Sequence, residues 1–473
     1  MTARSPLERD LAHLVGEAGV APADDFARFE QAARYGGGRA RAVVRPKDTA
    51  EVAAVVRYAY AHDLRLVPQG ANTGLVAAST PDMSGEQLVL SFERLQWIEA
   101  LDRASRSVIV GAGTRLSQVN AAAAEVGLSF PIDLGADPSI GGMIATNTGG
   151  ARLIRYGDVR RNLLGLEVVI ADQDASVLTD LRDLRKNNSG LDLKSLFAGS
   201  GGGLGLVTRA CLNLHRLPRQ TATALAIPVD HAALPGLITR LEDEAGEFLT
   251  AVEGLSHNAM MAALRHHPRL RNPFGTAEPP PYALLVELTS TAPAETGIDV
   301  EDLLVSVLGR CLEGPEALLT DALVGRGHEL WDLRHAVSEG LKQEGRVIAF
   351  DLSLPRSRLP AFRAEMSAEI AARFPFLRLC DFGHIGDGGD HFNLVWPHDA
   401  APAYDAEVVR QVRDLVYDRA VLGHGGGFSA EHGLGPYNLD YYRRYTPPQT
   451  RAVAAALKRQ LDPKGLLGHV DFS

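Results

Sequence analysis

Cysteine is scarce, with 3 residues in a chain of 473. Cys211, Cys311 and Cys380 lie far apart and form no C-x-x-C pair. This spacing argues against a disulfide framework and against a cysteine-rich metal site, and it is typical of a reducing compartment. We expect all three to be small, buried, apolar residues.

Long apolar runs are also missing. No uncharged stretch reaches the roughly 18 residues that a membrane span requires, and charged residues interrupt the N-terminal segment too often for a signal peptide. The net charge of −10 argues against binding to nucleic acids or to anionic membranes. We therefore expect a soluble, cytoplasmic protein that has no membrane span and no nucleic-acid partner.

Two common nucleotide-binding motifs are absent. The sequence contains no G-x-x-x-x-G-K-[ST], which argues against a Walker-type site. The only match to G-x-G-x-x-[GA] is Gly425, Gly427 and Ala430, and it follows a helix-like segment, whereas a dinucleotide fingerprint follows a strand. We therefore expect neither a Walker nucleotide site nor a Rossmann NAD site.

What is present indicates a multidomain α+β protein. The hydrophobic content of 45% is ordinary for globular chains, and the length predicts two or three domains. Residues 5–35 are expected to be helical, and Asp48 or Thr49 should cap a helix that buries Val52, Val55 and Val56. Strands and helices alternate in 1–218, antiparallel strands are expected in 219–400, and 401–473 is mostly helical.

Three stretches in the first of these domains are dense in glycine and other small residues. They are PQGANTGLVAAS (68–79), GADPSIGGMIATNTGGARLIRYG (135–157) and AGSGGGLGLVT (198–208). Glycines after strands either make tight turns or let backbone N–H groups approach a phosphate. Because three such loops occur together, the sequence favours a cofactor that carries phosphate.

The order of these motifs, PQG-NTGL, SIGG-TN-GG-RYG and LF-GS-G-LG-VT, resembles the PCMH-type FAD-binding domain of the vanillyl-alcohol-oxidase superfamily. The resemblance extends from about residue 40 to 466 and is greatest to the branch of D-2-hydroxyglutarate, D-lactate and glycolate dehydrogenases. It implies an α+β fold in which FAD lies between two subdomains of the FAD-binding domain (1–218). An antiparallel-sheet cap domain (219–400) and a helical C-terminal segment (401–473) would complete the active site.

The resemblance also implies which residues contact FAD. The first loop, with Asn72 in it, offers no histidine or cysteine for flavin attachment, so non-covalent FAD is expected. The implied contacts are Pro68, Gly70, Asn72, Thr73, Gly74, Leu75, Pro131, Ser139, Gly141, Gly142, Thr146, Asn147, Gly149, Gly150, Gly205 and Val207.

Histidines near the C-terminal end suggest a metal site. In FGHIGDGGDHFN, His384 and His391 flank a tight Asp-Gly-Gly-Asp turn, and SAEHGLG places Glu431 beside His432. Imidazole and carboxylate groups are common ligands of zinc. Each residue alone is more often an ordinary polar residue, but together, in loops framed by glycine, they favour a site.

The resemblance assigns roles to these residues. His384, His391 and Glu431 would bind a divalent metal, zinc or alternatively manganese, Asn393 would orient the substrate and His432 would be the base. In WDLRHAVSEG, Arg334 would bind the substrate carboxylate, and Ser338, one helical turn further along, could also contact the substrate. The structural alternative for Arg334 is a solvated charge on a helix.

Several positions depart from the family pattern. The glycine-rich loops contain Ala71, Ala77 and Ala78 in place of glycines, and Gly201 and Gly203 in place of Glu and Thr; Gly468-His469 replace an Asn-Pro. Ala349 and Asn438 replace lysines, Gly389 replaces an Asn, and Asp390 is expected to add a negative charge. Loss of two cations would weaken binding of a second substrate carboxylate, so we expect a monocarboxylate rather than hydroxyglutarate as the substrate.

Three hypotheses follow. The first is a metal-assisted dehydrogenase of a small D-2-hydroxy acid that passes electrons to an electron-transfer flavoprotein, a cytochrome or a quinone. The second is an FAD oxidase of a hydroxy acid or another alcohol that uses oxygen. The third is a flavoprotein that has lost hydroxy-acid turnover. The assembly is left open, with a homodimer as one candidate.

Overall fold

The computed structural model describes residues 4–473, which form two compact units. Unit 1 comprises the chain up to Gly149, Gly157–Leu217 and Glu431–Ser473, and unit 2 comprises Gly150–Tyr156 and Pro218–Ala430. One boundary thus falls between Leu217 and Pro218. The segment expected as a separate C-terminal element, 401–473, is divided between the two units.

The strands are β1 (Ala40–Val44), β2 (Leu66–Gln69), β3 (Gln87–Ser91), β4 (Ile98–Asp102), β5 (Ser107–Gly111), β6 (Leu128–Ser129), β7 (Leu163–Val169), β8 (Val177–Asp180), β9 (Leu206–Asn213), β10 (His215–Arg216), β11 (Gln220–Pro228), β12 (Leu249–Ser256), β13 (Tyr282–Ser290), β14 (Leu319–Gly325), β15 (Gly345–Ile348), β16 (Leu352–Ser353), β17 (Arg378–Leu379), β18 (Phe382–Gly383), β19 (Gly389–Asp390) and β20 (Leu394–Pro397).

The α-helices are α1 (Pro6–Val15), α2 (Ala27–Glu30), α3 (Thr49–Ala61), α4 (Leu116–Ala124), α5 (Ile140–Thr146), α6 (Leu153–Tyr156), α7 (Lys194–Phe197), α8 (Leu234–Ala245), α9 (His257–His266), α10 (Val300–Leu312), α11 (Gly327–Glu344), α12 (Leu359–Arg373), α13 (Ala406–Asp418), α14 (Leu439–Tyr445) and α15 (Pro448–Leu461). A π-helical turn, Arg419–Gly423, extends α13.

Unit 1 contains two main sheets. Strands β1, β3 and β2 form a parallel sheet in that order, and β4-β5-β9-β7-β8 form an antiparallel sheet. Helix α3 connects β1 to β2. Its start is set by Asp48, whose side chain accepts a hydrogen bond from the Glu51 backbone N–H, and Val52, Val55 and Val56 are fully buried as expected.

Unit 2 is built on an antiparallel sheet with the strand order β14-β11-β13-β12-β18. Strands β12 and β13 are buried along their whole length, and α9 and α11 pack together beside the sheet in one apolar core. Two smaller antiparallel groups, β15-β20-β17 and β16-β19, complete the unit. The predicted α+β class and the antiparallel second domain are confirmed.

The N-terminal region expected to be helical, residues 5–35, contains α1, α2 and two short 3₁₀ turns. Helix α1 ends at Val15 because Gly16 adopts a positive φ of 72°, and Pro22 precedes a short 3₁₀ turn. The three cysteines are buried and unpaired, as expected. Among the described residues, no helix combines the length and the apolar character needed to cross a membrane.

Candidate active site

The first two glycine loops meet in unit 1. A Cβ atom on Gly70 would lie 2.0 Å from the Ser139 Oγ, so only glycine fits there unless Ser139 moves. The same Oγ caps α5 by accepting the Gly142 N–H and also accepts the Ala71 N–H, each at 3.3 Å. The Ser139 hydroxyl therefore ties the first loop to the start of the second.

The third glycine loop joins the other end of α5. The backbone N–H groups of Gly199 and Gly201 donate to the carbonyls of Ile144 and Ala145, at 2.9 and 2.8 Å. A Cβ on Gly202 would lie 2.9 Å from the Pro68 ring. All three loops predicted from the sequence thus converge around α5.

Asn72 shapes the first loop. It adopts a left-handed φ of 55°, its amide donates to the Gln31 carbonyl at 2.6 Å, and its Oδ1 accepts from Ser79 at 2.9 Å. The side chain is therefore bonded to the protein itself. Gly74, two residues on, faces open space, where only the Ser79 hydroxyl comes within 4 Å of a Cβ position.

Fifteen of the sixteen predicted FAD contacts lie in unit 1; Gly150 begins the short segment of unit 2. Asn147 ends α5 in a left-handed conformation, and its side chain bonds Asp158 and the Arg160 N–H. Gly205 is required by packing, since a Cβ would lie 2.5 Å from Val168. Asn147 and Gly205 thus have structural roles in their loops in addition to the predicted contact with FAD.

The C-terminal loop that carries His432 also packs within unit 1. A Cβ on Gly433 would lie 3.6 Å from Thr146, at the end of α5. Asn438 is buried; its amide donates to the Gly433 carbonyl and its Oδ1 accepts the Gly435 N–H. The departure from lysine at Asn438 therefore provides an internal brace for this loop.

In unit 2, one carboxylate holds two of the predicted site residues. Glu253 on β12 is fully buried. Its Oε2 accepts a hydrogen bond from the Arg334 Nε, and its Oε1 pairs with the His384 Nδ1, both at 2.7 Å. Arg334 is 8% exposed, so the alternative of a solvated helix charge is wrong. Sequence reasoning missed Glu253.

The charge state of Glu253 follows from this pairing. Complete burial by itself raises the pKa of the Glu253 carboxyl. The charges of His384 and Arg334 and their hydrogen bonds lower it by more, so that the resulting pKa is about 2. Glu253 is therefore an anion under all ordinary conditions. Within the part of the chain described, the Arg334 Nη1 and Nη2 atoms make no hydrogen bond, so its fork remains available to a ligand.

The two predicted metal-binding histidines lie on one hairpin. Phe382 pairs with His391 across it, and the rings of His384 and His391 lie 5.3 Å apart in an edge-to-face arrangement. The His391 Nδ1 lies 3.9 Å from an oxygen of Asp351, a carboxylate that the sequence did not single out. The hairpin thus brings two imidazoles and one carboxylate together.

Glu431 follows this group along the chain. Ala430, the last residue of unit 2, donates its N–H to the Asp351 carbonyl at 3.1 Å, and the Ser429 hydroxyl bonds the Asp351 side chain. These contacts hold the last residues of unit 2 beside Asp351.

Asn393 and Ser338 differ in their surroundings. Asn393 is buried, and its Oδ1 has no hydrogen-bond partner among the described residues. Ser338, in contrast, is exposed on α11. The contact of Ser338 with the substrate stays a prediction.

Asp390 does not act as the simple negative charge that the sequence suggested. It is buried, and burial together with the nearby Asp381 raises the pKa of its carboxyl well above the ordinary value, although Arg363 opposes the shift. Arg363 pairs instead with Asp381 through two hydrogen bonds. The uncharged form of Asp390 is therefore favoured.

The departure at Ala349 has a cation beside it. The buried Arg413 of α13 donates through Nη1 to the Ala349 carbonyl at 3.3 Å, and its guanidinium lies over the Phe350 ring. The cation near residue 349 thus belongs to α13 and not to the segment of the family's lysine, and the Ala349 carbonyl and the Phe350 ring engage it.

The signal that could have revealed Glu253 is its position in the sequence. It is the only charged residue in LTAVEGLS, an otherwise uncharged strand, just as Glu287 is in YALLVELTS. Glu287 is also buried and accepts hydrogen bonds from Arg152 and the Trp331 Nε1. An isolated acid in such a strand indicates a paired, buried carboxylate.

Comparisons with known proteins agree with these features. A family profile described as the FAD binding domain matches residues 40–178, and one described as the C-terminal domain of FAD linked oxidases matches residues 164–469. The chain is 32% identical over 434 residues to the mitochondrial D-2-hydroxyglutarate dehydrogenase of Arabidopsis thaliana, which covers 91% of this chain and 74% of that protein.

A bacterial protein gives a similar match. The D-2-hydroxyglutarate dehydrogenase of Stutzerimonas stutzeri is 32% identical over 434 residues, covering 90% of this chain and 89% of that protein. Among solved structures, alkyldihydroxyacetonephosphate synthase has a TM-score of 0.71 at 16% identity, covering 98% of this chain and 84% of that one. This last likeness concerns the fold alone.

Gly70→Ala tests the convergence of the first two loops. The added methyl group should displace the Ser139 hydroxyl, cost about 0.5–2 kcal/mol through loss of the α5 cap, and lower the FAD content of the purified protein. Gly135→Ala is the control, because its Cβ would meet nothing within 4 Å. Equal FAD content and equal thermal stability in the two variants would contradict the assignment.

Proposed function

The chain belongs to the family of FAD-linked oxidases, and on that basis we propose that it oxidises a small D-2-hydroxy acid to the 2-oxo acid with the help of a divalent metal. The resemblance expected from the sequence motifs is thereby confirmed. The observation that carries the proposal is the buried array of Arg334, Glu253 and His384, which joins a carboxylate-binding cation to a metal-binding hairpin.

The residues of unit 1 fit FAD. Loops rich in glycine would let the pyrophosphate approach the backbone, and the open position of Gly74 leaves space for it. When bound, FAD supplies the acceptor for a hydride. We propose that it is held non-covalently, since the Asn72 side chain has no nucleophile and is bonded within the protein.

Arg334 would bind the substrate carboxylate. Its Nε is held by Glu253, so the two terminal nitrogens would form the bidentate contact. Phe382 supports the guanidinium from one side, with 4.7 Å from its centre to that of the ring. Asn393, whose buried Oδ1 has no hydrogen-bond partner among the described residues, would help to orient the substrate.

The donor set His384, His391 and Glu431 fits a divalent metal. Two imidazoles and one carboxylate are a common set for catalytic zinc, with manganese as the alternative. Asp351, next to His391, is a further oxygen donor. A metal at these residues would lower the pKa of the substrate hydroxyl.

His432 would accept the hydroxyl proton. As this proton leaves, C2 loses its hydrogen with two electrons, and the C–O bond becomes the carbonyl of the 2-oxo acid. Asn438 and the contact of Gly433 with Thr146 hold the loop on which His432 lies. Because a base is most effective when held rigidly in reach of its proton, this bracing supports the role.

The substrate class follows from the departures. The relatives are named for D-2-hydroxyglutarate, which carries a second carboxylate. Ala349 and Asn438 stand where the motif resemblance leads us to expect lysines. Asn438 braces a loop and supplies no charge, and Arg413 is already bonded to the Ala349 backbone. We therefore favour a monocarboxylate.

A cytoplasmic location stays a prediction.

Anaerobic mixing with a panel of D- and L-2-hydroxy acids tests the reaction. We expect a D-monocarboxylate to bleach the flavin absorbance, with little oxygen consumption in air, because electrons pass to an electron-transfer flavoprotein, a cytochrome or a quinone. Peroxide formation at a turnover rate would instead favour an oxidase. A flavin that no hydroxy acid bleaches would indicate a flavoprotein without this turnover and contradict the proposal.

Metal and base can be separated by substitution. His384→Ala and His391→Ala should each remove the metal and the activity but leave FAD bound, since unit 1 contributes the glycine loops. His432→Ala should keep the metal while flavin reduction slows by about two to four orders of magnitude, and higher pH should restore part of that rate. Elemental analysis and stopped-flow reduction measure these effects. Loss of metal from the His432 variant would show that ligand and base are interchanged.

A further inference from the structure

We propose that Glu253 is a positioning residue that sets, with one carboxylate, both the ring nitrogen that His384 offers to the metal and the edge of Arg334 that meets the substrate. The inference rests on the proposed function and names a residue outside its metal and substrate contacts. The two oxygens of Glu253 are divided between the two partners, each at 2.7 Å.

The fold places the three residues rigidly. Glu253 lies on β12, in the interior of the antiparallel sheet, where it pairs with Leu285 of β13. The next residue, Gly254, pairs with Gly383 of β18, directly before His384. Register between β12 and β18 therefore brings the carboxylate to the imidazole, and no loop movement separates them.

The effect on His384 is the choice of tautomer. A carboxylate that accepts from Nδ1 keeps the proton there, so Nε2 becomes the nitrogen that can bind a metal, and the negative charge raises the basicity of the ring. Carboxylates in this position typically change metal affinity by about 10–100-fold. His384 would thus owe both its orientation and its strength as a ligand to Glu253.

The effect on Arg334 is the choice of edge. With Nε bonded to Glu253, the side-on pair of Nε and one terminal nitrogen is not available to the substrate. Only the end-on pair, Nη1 and Nη2, can form two parallel hydrogen bonds with a carboxylate. Glu253 thereby fixes the direction from which the substrate carboxylate enters, and the same carboxylate fixes the orientation of the metal ligand His384.

A purely structural ion pair is the competing explanation, and Glu287 offers a matched control for it. It lies on the neighbouring strand β13, is 2% exposed, and likewise accepts hydrogen bonds from an arginine and from a residue of α11, Arg152 and Trp331. It contacts neither of the residues proposed for metal and substrate. Glu287→Gln should therefore match any general loss of stability without affecting the metal.

The test compares zinc affinity in Glu253→Gln, Glu287→Gln and the wild type, by competition with a fluorescent chelator on FAD-loaded protein without substrate. Glutamine has an NH2 group, which cannot accept, in place of one of the two carboxylate oxygens. One of the two partners therefore loses its acceptor, and zinc affinity should fall about 10–100-fold in Glu253→Gln and stay unchanged in Glu287→Gln. At saturating zinc, the KM of the best hydroxy acid should remain raised in Glu253→Gln only.

Glu253→Asp guards against a folding defect, since it keeps the buried charge but is shorter by one methylene and cannot reach both partners. It should lose zinc affinity while retaining FAD. Wild-type zinc affinity and KM in both Glu253 variants would overturn the inference while leaving the proposed function intact. A wild type that binds no zinc, or whose flavin no hydroxy acid bleaches, would overturn the proposed function and the inference with it.

Discussion

A buried charge must be compensated by its neighbours, and the arrangement of unit 2 follows from the partners that Glu253 requires. Leaving such a carboxylate unpaired would cost several kcal/mol, so β12, α11 and the hairpin that begins at β18 must pack together for the unit to fold. Glu287 repeats the pattern on β13, since its partner Trp331 lies on the same helix as Arg334. Helix α11 is therefore docked on the sheet by two buried acids, which keeps Arg334 in place.

Unit 1 depends on the opposite property, which is the lack of side chains. Its loops approach one another closely enough that a Cβ atom on Gly70 would clash with Ser139 and one on Gly202 would clash with Pro68. The three loops thereby converge around α5. The glycine loops of unit 1 suit a cofactor with phosphates, whereas Arg334, Glu253 and the His384–His391 hairpin of unit 2 suit a small acid and a metal.

Much of this could be predicted from the sequence, because the signals are local. The Asp48 cap, the alternation of strands, the glycine loops and the His384–His391 hairpin each occupy a short stretch. The prediction that residues 5–35 are helical did not locate the breaks in this region, such as the end of α1 at Val15, directly before Gly16. Glu253 was missed because its partners lie 81 and 131 residues away along the chain. No spacing rule connects such residues; only the sheet register and the docking of α11 bring them together.

The most direct measurement is an anomalous difference map, recorded at the zinc edge, from crystals of the zinc-loaded, FAD-containing protein. The account predicts one strong peak about 2.0–2.1 Å from the His384 Nε2, with Nδ1 still bonded to Glu253 and the Arg334 Nε on the other oxygen. Zinc bound at the His384 Nδ1, with Glu253 turned away, would contradict it. So would an enzyme that turns over a hydroxy acid with no metal at His384.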